Sequence, residues 1–202
     1  MRTMKLFCLL LALAVLALAS PAQMHAATAY VKHQNLAEMT DEATMIYRGK
    51  VVSITGGTVA LAGGELPTVT FMIEVTESLR GEFMEKGGKQ YAELTVPGSF
   101  HPVLRKVGEY QQRLVLPDPP GLRVGEEYLL LTNSPNKHGL SNTIGMAQGC
   151  FHIRGIGKAE IAVNGANNAG LFHGMEASHL TAAATGLSYA DLVQQIHLEM
   201  DR

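Results

Sequence analysis

Cysteine, tryptophan and clustered basic residues are scarce or missing in this chain of 202 residues. With only two cysteines, the chain lacks the disulfide framework that holds many small exported domains together. Its 16 Lys and Arg residues are outnumbered by 18 Asp and Glu residues. Proteins that bind a phosphate backbone cluster their basic residues, whereas the densest basic stretch here is Arg105-Lys106 with Arg113 nearby. We therefore predict no nucleic-acid partner.

Apolar runs long enough to cross a membrane are also missing. A transmembrane helix needs about 20 apolar residues, and the longest apolar run, 6–18, is shorter. This run follows a basic start and ends at small residues around Pro21, a pattern typical of a cleavable signal peptide over residues 1–22. A cut after Ala29 fits the pattern equally well. We expect an exported protein, periplasmic or extracellular, with no membrane span once the leader is removed.

The rest of the chain is predicted to be mostly β. Apolar and polar residues alternate most clearly over 68–79, where Val69, Phe71 and Ile73 share one face. A continuous apolar run over 128–131 indicates a strand that is covered on both sides. We predict strands over 44–55, 68–79, 90–96, 128–131, 143–154 and 158–163.

Glycines interrupt this pattern at two places. Gly49 lies where the apolar positions of the first strand change from one face to the other, as they do at a β-bulge. The segment 56–67 has glycines near both ends, which predicts a loop between the first two long strands.

One short helix is predicted at each end of the domain. Leu36 to Ala43 places apolar residues at helical spacing. Over 188–200, an apolar stripe indicates an amphipathic helix that docks on its own core, and Ser188 with Asp191 indicates a capping box. The stripe consists of Tyr189, Leu192, Val193, Ile196 and Met200.

These elements predict a single β-rich domain over 30–202. The fold expected is a small OB-like barrel, closed or partly closed, with the short N-terminal helix and the C-terminal amphipathic helix packed against it. A β-sandwich is the alternative.

A series of short motifs follows the predicted entry helix. Their order resembles that of uncharacterised exported bacterial proteins whose fold is similar to the OB-like barrel of netrin modules and tissue inhibitors of metalloproteases. The resemblance spans residues 35–153 and implies architecture only, since those inhibitors chelate zinc through a cysteine at the mature N-terminus and neither predicted cut leaves one there. The motifs are YRGKVV (47–52), ESLRG (77–81), PG (97–98), PPGLRVG (119–125), GEEYL (125–129) and QGCFHI (148–153).

A metal site is one hypothesis for the chemistry of the chain. Cys150 and His152 are one residue apart on a predicted strand, so their side chains point to the same face. A transition metal such as zinc or copper would need further ligands, and the candidates are His173 and His179. The alternative interpretation is a half-buried thiol beside a solvated histidine and no cofactor.

No catalytic motif stands out beside this pair. The acidic pair Glu126-Glu127 begins a strand, so its side chains face opposite ways and are interpreted as solubilising. We therefore expect a non-catalytic binding or interaction module whose ligand is an envelope or extracellular protein or small molecule. Once the leader is removed, Cys150 is the single cysteine, which also predicts a disulfide-linked dimer as an alternative.

Overall fold

The computed structural model describes residues 32–61, 64–101, 103–107, 110–114, 120–175 and 186–202. The predicted signal peptide, with both of its cleavage points, lies outside these residues. The described residues belong to one unit, Val31–Arg202.

Two α-helices and ten strands are found in the described residues. The helices are α1 (Leu36–Glu42) and α2 (Tyr189–Met200), and short 3-10 helices cover Met146–Gly149 and Gly157–Ala159. The strands are β1 (Met45–Leu61), β2 (Gly64–Arg80), β3 (Met84–Lys86), β4 (Lys89–Pro97), β5 (Val103–Val107), β6 (Tyr110–Leu114), β7 (Glu127–Thr132), β8 (Cys150–Arg154), β9 (Ile161–Asn164) and β10 (Leu187–Ser188).

Eight of these strands form one antiparallel sheet in the order β10-β9-β8-β7-β1-β2-β4-β3. β5 and β6 form a separate two-stranded sheet. The prediction of a mostly β fold is therefore confirmed. A closed barrel is not formed by the strand pairs that the structure describes, because β10 and β3 end the sheet without pairing with each other.

β1 is longer than predicted. Its pairing with β2 shifts register at three points, one of them between Arg48 and Gly49, which confirms the predicted bulge. The loop predicted over 56–67 is wrong, because the two strands continue as a paired ribbon through Leu61 and Gly64. The ribbon is exposed on both faces, so its residues had no reason to alternate between apolar and polar.

The sheet carries one hydrophobic core on each face. The helix-side core lies between the sheet and the two helices, and includes Leu129, Leu131 and Phe151. The strand-side core lies on the other face and is built from β1, β2, β4 and β7, with Tyr128 and Leu130 contributed by β7. Residues 129–131 are fully buried, which confirms that β7 is covered on both sides.

The first helix begins at Leu36, as predicted, whereas the predicted cap of the second helix is not formed. α1 begins with a capping box in which the Asn35 side chain accepts from the Glu38 N–H and the Glu38 carboxylate accepts from the Asn35 N–H. The capping box predicted at Ser188 is wrong: its side chain makes no cap hydrogen bond, and Ser188 pairs with Ile161 as the last residue of β10.

The apolar stripe of α2 packs on the helix-side core, as predicted. Leu192 and Ile196 are fully buried there, and Val193 is partly buried. Neither described helix is long and apolar enough to span a membrane.

The strands predicted over 143–154 and 158–163 are shorter than expected. A 3-10 helix interrupts 143–154, so that only Cys150–Arg154 remains extended as β8. Gly145 has a φ of 57°, a backbone conformation that a continuous strand does not contain. A second 3-10 helix likewise delays the start of β9 to Ile161.

Candidate functional site

Tyr128 on β7 and His152 on β8 lie directly opposite each other in the sheet. Their rings stack, with centroids 5.0 Å apart and an angle of 25° between the planes. Both side chains lie on the strand-side face. Leu130 and Cys150, which also lie opposite each other, are two residues away on the same two strands and share this face. These two polar rings lie at the border of the strand-side core.

The Glu126 carboxylate joins these two rings. Its Oε2 accepts a hydrogen bond of 2.7 Å from the Tyr128 hydroxyl and lies 3.2 Å from His152 Nε2. Arg123 Nη1 lies 3.9 Å from Oε1. The Tyr128 hydrogen bond is the main reason that the pKa of Glu126 lies below its usual range, and the neighbouring His152, Arg123 and Arg154 side chains lower it further.

His152 has a partner at each ring nitrogen. Arg154 Nε donates to His152 Nδ1 over 3.1 Å. Because Nδ1 accepts, the proton of the neutral ring lies on Nε2 and points to Glu126. The two contacts hold the imidazole in one tautomer and one orientation.

Tyr128 completes the arrangement. Its hydroxyl accepts from the Arg123 backbone N–H over 3.1 Å while it donates to Glu126. Burial, together with the neighbouring Glu126 carboxylate, raises the pKa of this phenol, so it stays protonated. Arg123, Glu126, Tyr128, His152 and Arg154 are called the polar cluster below.

Cys150 lies on the same face as His152, as predicted, but its thiol is turned into the protein. The residue packs against the strand-side core. Burial raises the pKa of this thiol to about 12, so it is not a thiolate at neutral pH. A disulfide to a second copy stays a prediction, and it would require the thiol to be uncovered.

The predicted metal ligands are only partly brought together. His173 is exposed in the turns after β9, and His179 lies outside the described residues. Within the described part of the chain, no three His, Cys, Asp or Glu side chains are placed to hold a metal ion. His173 therefore does not join Cys150 and His152 in such a group.

A second charged cluster lies on the opposite, helix-side face. The Arg48 guanidinium donates to Glu160 in bidentate form, with Nη1–Oε2 and Nη2–Oε1 distances of 2.8 and 2.9 Å. It also donates from Nε to Glu127 over 2.9 Å. Glu126 and Glu127 thus face opposite ways, as predicted, and each carboxylate is also held by a partner side chain.

Sequence reasoning found one residue of the polar cluster, His152, and missed the other four. Glu126 and Tyr128 are two residues apart, as are His152 and Arg154, so both pairs repeat with the period of a strand. That repeat predicts that the two residues of each pair share one face of their strand. The pairing of β7 with β8, which places the two repeats side by side, had no signal in the sequence.

No protein-family model, no curated protein and no solved structure matches the chain.

Proposed function

We propose that the protein is an exported, non-catalytic binding module whose polar cluster recognises a carboxylate group on an envelope or extracellular ligand. The observation that carries this proposal is a local excess of positive charge. The guanidinium groups of Arg123 and Arg154 both act on one carboxylate, that of Glu126, and the neutral His152 imidazole points its Nε2 at the same group. The chain as a whole carries a formal net charge of −2, so this end of the sheet differs in sign from the protein.

The arginines have hydrogen-bond donors to spare. The Arg123 side chain is 78% exposed, and its 3.9 Å separation from Glu126 is too long for a hydrogen bond. Arg154 is exposed and uses only its Nε on His152 among the described residues. A guanidinium presents its remaining N–H groups in a planar fork that matches a carboxylate.

The rest of the polar cluster supports binding rather than catalysis. His152 has both ring nitrogens engaged, and the neighbouring thiol of Cys150 is protonated. Tyr128 and Glu126 instead form a rigid base that holds the imidazole and the Arg123 backbone in place. Rigid support of this kind lowers the entropy cost of binding.

Titration followed by ¹H–¹⁵N NMR tests the proposal. Succinate should shift the amide signals of Arg123, Tyr128 and His152, and the uncharged succinamide should not. Arg123→Gln and Arg154→Gln should each weaken binding by about tenfold, which corresponds to the loss of one charge-assisted contact. Arg202→Gln, an exposed arginine at the far end of α2, is the matched control and should leave binding unchanged. Equal shifts with both compounds would refute the proposal.

A metal-binding function is the second candidate, because Cys150 and His152 share one face of β8. Zinc or copper would have to displace Arg154 or Glu126 from the imidazole and deprotonate the thiol. Elemental analysis of protein prepared without a histidine tag decides between the candidates. A stoichiometric metal that is lost in Cys150→Ser would support this function.

For the fold, we infer that the sheet curls into a partly closed barrel of the OB type. The Ser141 N–H donates to the Thr95 carbonyl over 2.8 Å, which brings the loop after β7 to the outer edge of β4. Slow hydrogen exchange at the Ser141 amide would support this closure. A β-sandwich is the alternative, and fast exchange there would favour it.

Export is inferred from the predicted leader. The test is N-terminal sequencing of the protein recovered from the cell envelope or the medium. A chain that starts at Gln23 or at Tyr30 would support export, and an intact N-terminus in the cytosol would refute it.

A further inference from the structure

Among the described residues, one edge of β1 has no partner strand where β1 passes beyond the body of the sheet. β1 pairs with β7 over Met45–Lys50, and the Val51 backbone bonds to Gly125 and Glu126. From Ser53 to Leu61, β1 pairs with β2 on one side and with no described strand on the other.

Pro67 shows which backbone groups of β1 face this open edge. Its carbonyl accepts from the Gly98 N–H over 3.0 Å, so Pro67 points away from β1. In an antiparallel pair, residues that are directly opposite either both face each other or both face outward. Thr58 is opposite Pro67 and therefore presents its N–H and C=O at the open edge.

The same orientation recurs at every second residue. No register shift interrupts β1 between Ser53 and Leu61, so Ile54, Gly56 and Ala60 face outward as Thr58 does. None of these groups forms a hydrogen bond with another part of the described chain.

The open edge lacks the features that usually prevent strand addition. Natural edge strands are protected by charged side chains, by proline or by being very short. Residues 53–61 have the sequence SITGGTVAL, which contains neither a charged residue nor a proline. The two outermost strands of the same sheet, β3 and β10, are by contrast only three and two residues long.

We propose that this edge of β1 pairs with the same edge of a second copy of the chain. Antiparallel pairing about a twofold axis at Gly57 places Ile54 opposite Ala60 of the second copy and Gly56 opposite Thr58. All four outward-facing residues are then paired, with about eight backbone hydrogen bonds. A twofold interface must be complementary to itself, and an edge without charge brings no like charges together.

The glycines suit the centre of this interface. Gly57 meets its own counterpart on the axis, where backbones in a non-hydrogen-bonded pair approach most closely. At Gly56, a Cβ would lie 3.4 Å from the exposed Phe100 ring, an ordinary contact distance, so Phe100 lies beside the ribbon at this residue.

Cross-linking tests the register. In a Cys8→Ser, Cys150→Ser background, Gly57→Cys places two thiols within disulfide range across the axis, and mild oxidation should give a covalent dimer on a non-reducing gel. Thr55→Cys is the control. In this register Thr55 lies opposite Val59 of the second copy, four residues from the second copy's Thr55, so the two thiols should not cross-link. Equal cross-linking by both variants, or by neither, would overturn the proposal.

Sedimentation equilibrium tests the hydrogen bonds. The unmodified protein should sediment as a dimer, and a monomer at all concentrations would overturn the proposal. Thr58→Pro removes an outward N–H without removing a bond to β2, and should raise the dimer dissociation constant by at least about tenfold. Thr58→Ala keeps the N–H and should remain dimeric. If Thr58→Pro fails to fold, the unmodified protein and the cysteine pair still decide the question.

Discussion

Arg48 on β1 and Tyr189 at the start of α2 lie in face-to-face contact, with the guanidinium carbon 4.7 Å from the centre of the ring. The same guanidinium is held by Glu127 and Glu160, and its side chain is only 16% exposed. The Tyr189 hydroxyl in turn donates to Glu77 over 2.6 Å. Arg48 therefore links the centre of the sheet to the C-terminal helix.

Loss of this arginine should destabilise the fold. Arg48→Met leaves two carboxylates without their partner, and we expect a loss of about 2 kcal/mol, between the values for exposed and buried ion pairs. Arg48→Lys keeps the charge but not the bidentate geometry and should lose less. Urea unfolding measures both. Equal stability of Arg48→Met and the unmodified protein would show that the cluster contributes nothing.

Acidification should weaken the same cluster. The hydrogen bonds from Arg48 hold the pKa of Glu160 below its usual range. A carboxylate with a lowered pKa in the folded state stabilises the fold above its unfolded pKa of about 4.3. That contribution is lost as the pH falls through the folded value, so stability should decline below about pH 4.5. Glu160→Gln should lose less stability on acidification than the unmodified protein, whereas Glu82→Gln, an exposed carboxylate without a described ion pair, should follow it.

Gly49 should not tolerate a side chain. A Cβ there would lie 2.5 Å from Ile73 Cγ2 and 2.7 Å from the Glu74 carbonyl oxygen, and a backbone atom of a paired strand cannot move aside. We expect Gly49→Ala to cost about 1–3 kcal/mol in thermal or urea unfolding. Gly121→Ala is the matched control, since a Cβ there meets nothing within 4 Å, and should change stability little.

The Thr40 hydroxyl is buried without a hydrogen-bond partner among the described residues. Thr40→Val has nearly the same shape and removes this unsatisfied group, so we expect a gain of about 1 kcal/mol in unfolding free energy. Thr44→Val provides the contrast, because the Thr44 hydroxyl accepts from Ser134 Oγ over 3.0 Å. A loss of stability in Thr40→Val would indicate that the hydroxyl is satisfied in solution.

The thiol of Cys150 should be unreactive in the native protein. With a pKa raised to about 12, its thiolate fraction at pH 8 is about one in ten thousand. In the Cys8→Ser background, Ellman's reagent should label the protein slowly until urea unfolds it. Rapid labelling of the native protein would contradict the burial of this side chain.

Local patterns predicted the elements that have one wet face. Val69, Phe71 and Ile73 are buried as the alternation of 68–79 indicated, and Leu192 and Ile196 dock as the helical stripe indicated. The ribbon beyond Thr55 escaped prediction because a strand pair exposed on both faces has no alternation to detect. The capping box of the first helix does have a local signal, an asparagine at position 35 followed three residues later by Glu38.

The candidate site depended on contacts between distant segments. Cys150 and His152 share a strand, so their common face could be inferred from spacing alone. The contact of Glu126 with His152 depends on the register of β7 against β8. The ion pair of Arg48 with Glu160 joins positions 112 residues apart, for which a single sequence contains no local signal.

The central position of β7 has a consequence for unfolding. Leu129 and Leu131 pack with the helices, whereas Tyr128 and Leu130 pack with the opposite core. Neither core can lose its packing on β7 without disturbing the backbone that also carries the side chains of the other core. The two cores are thus mechanically coupled through one short strand, and we expect them to melt together as a single cooperative unit.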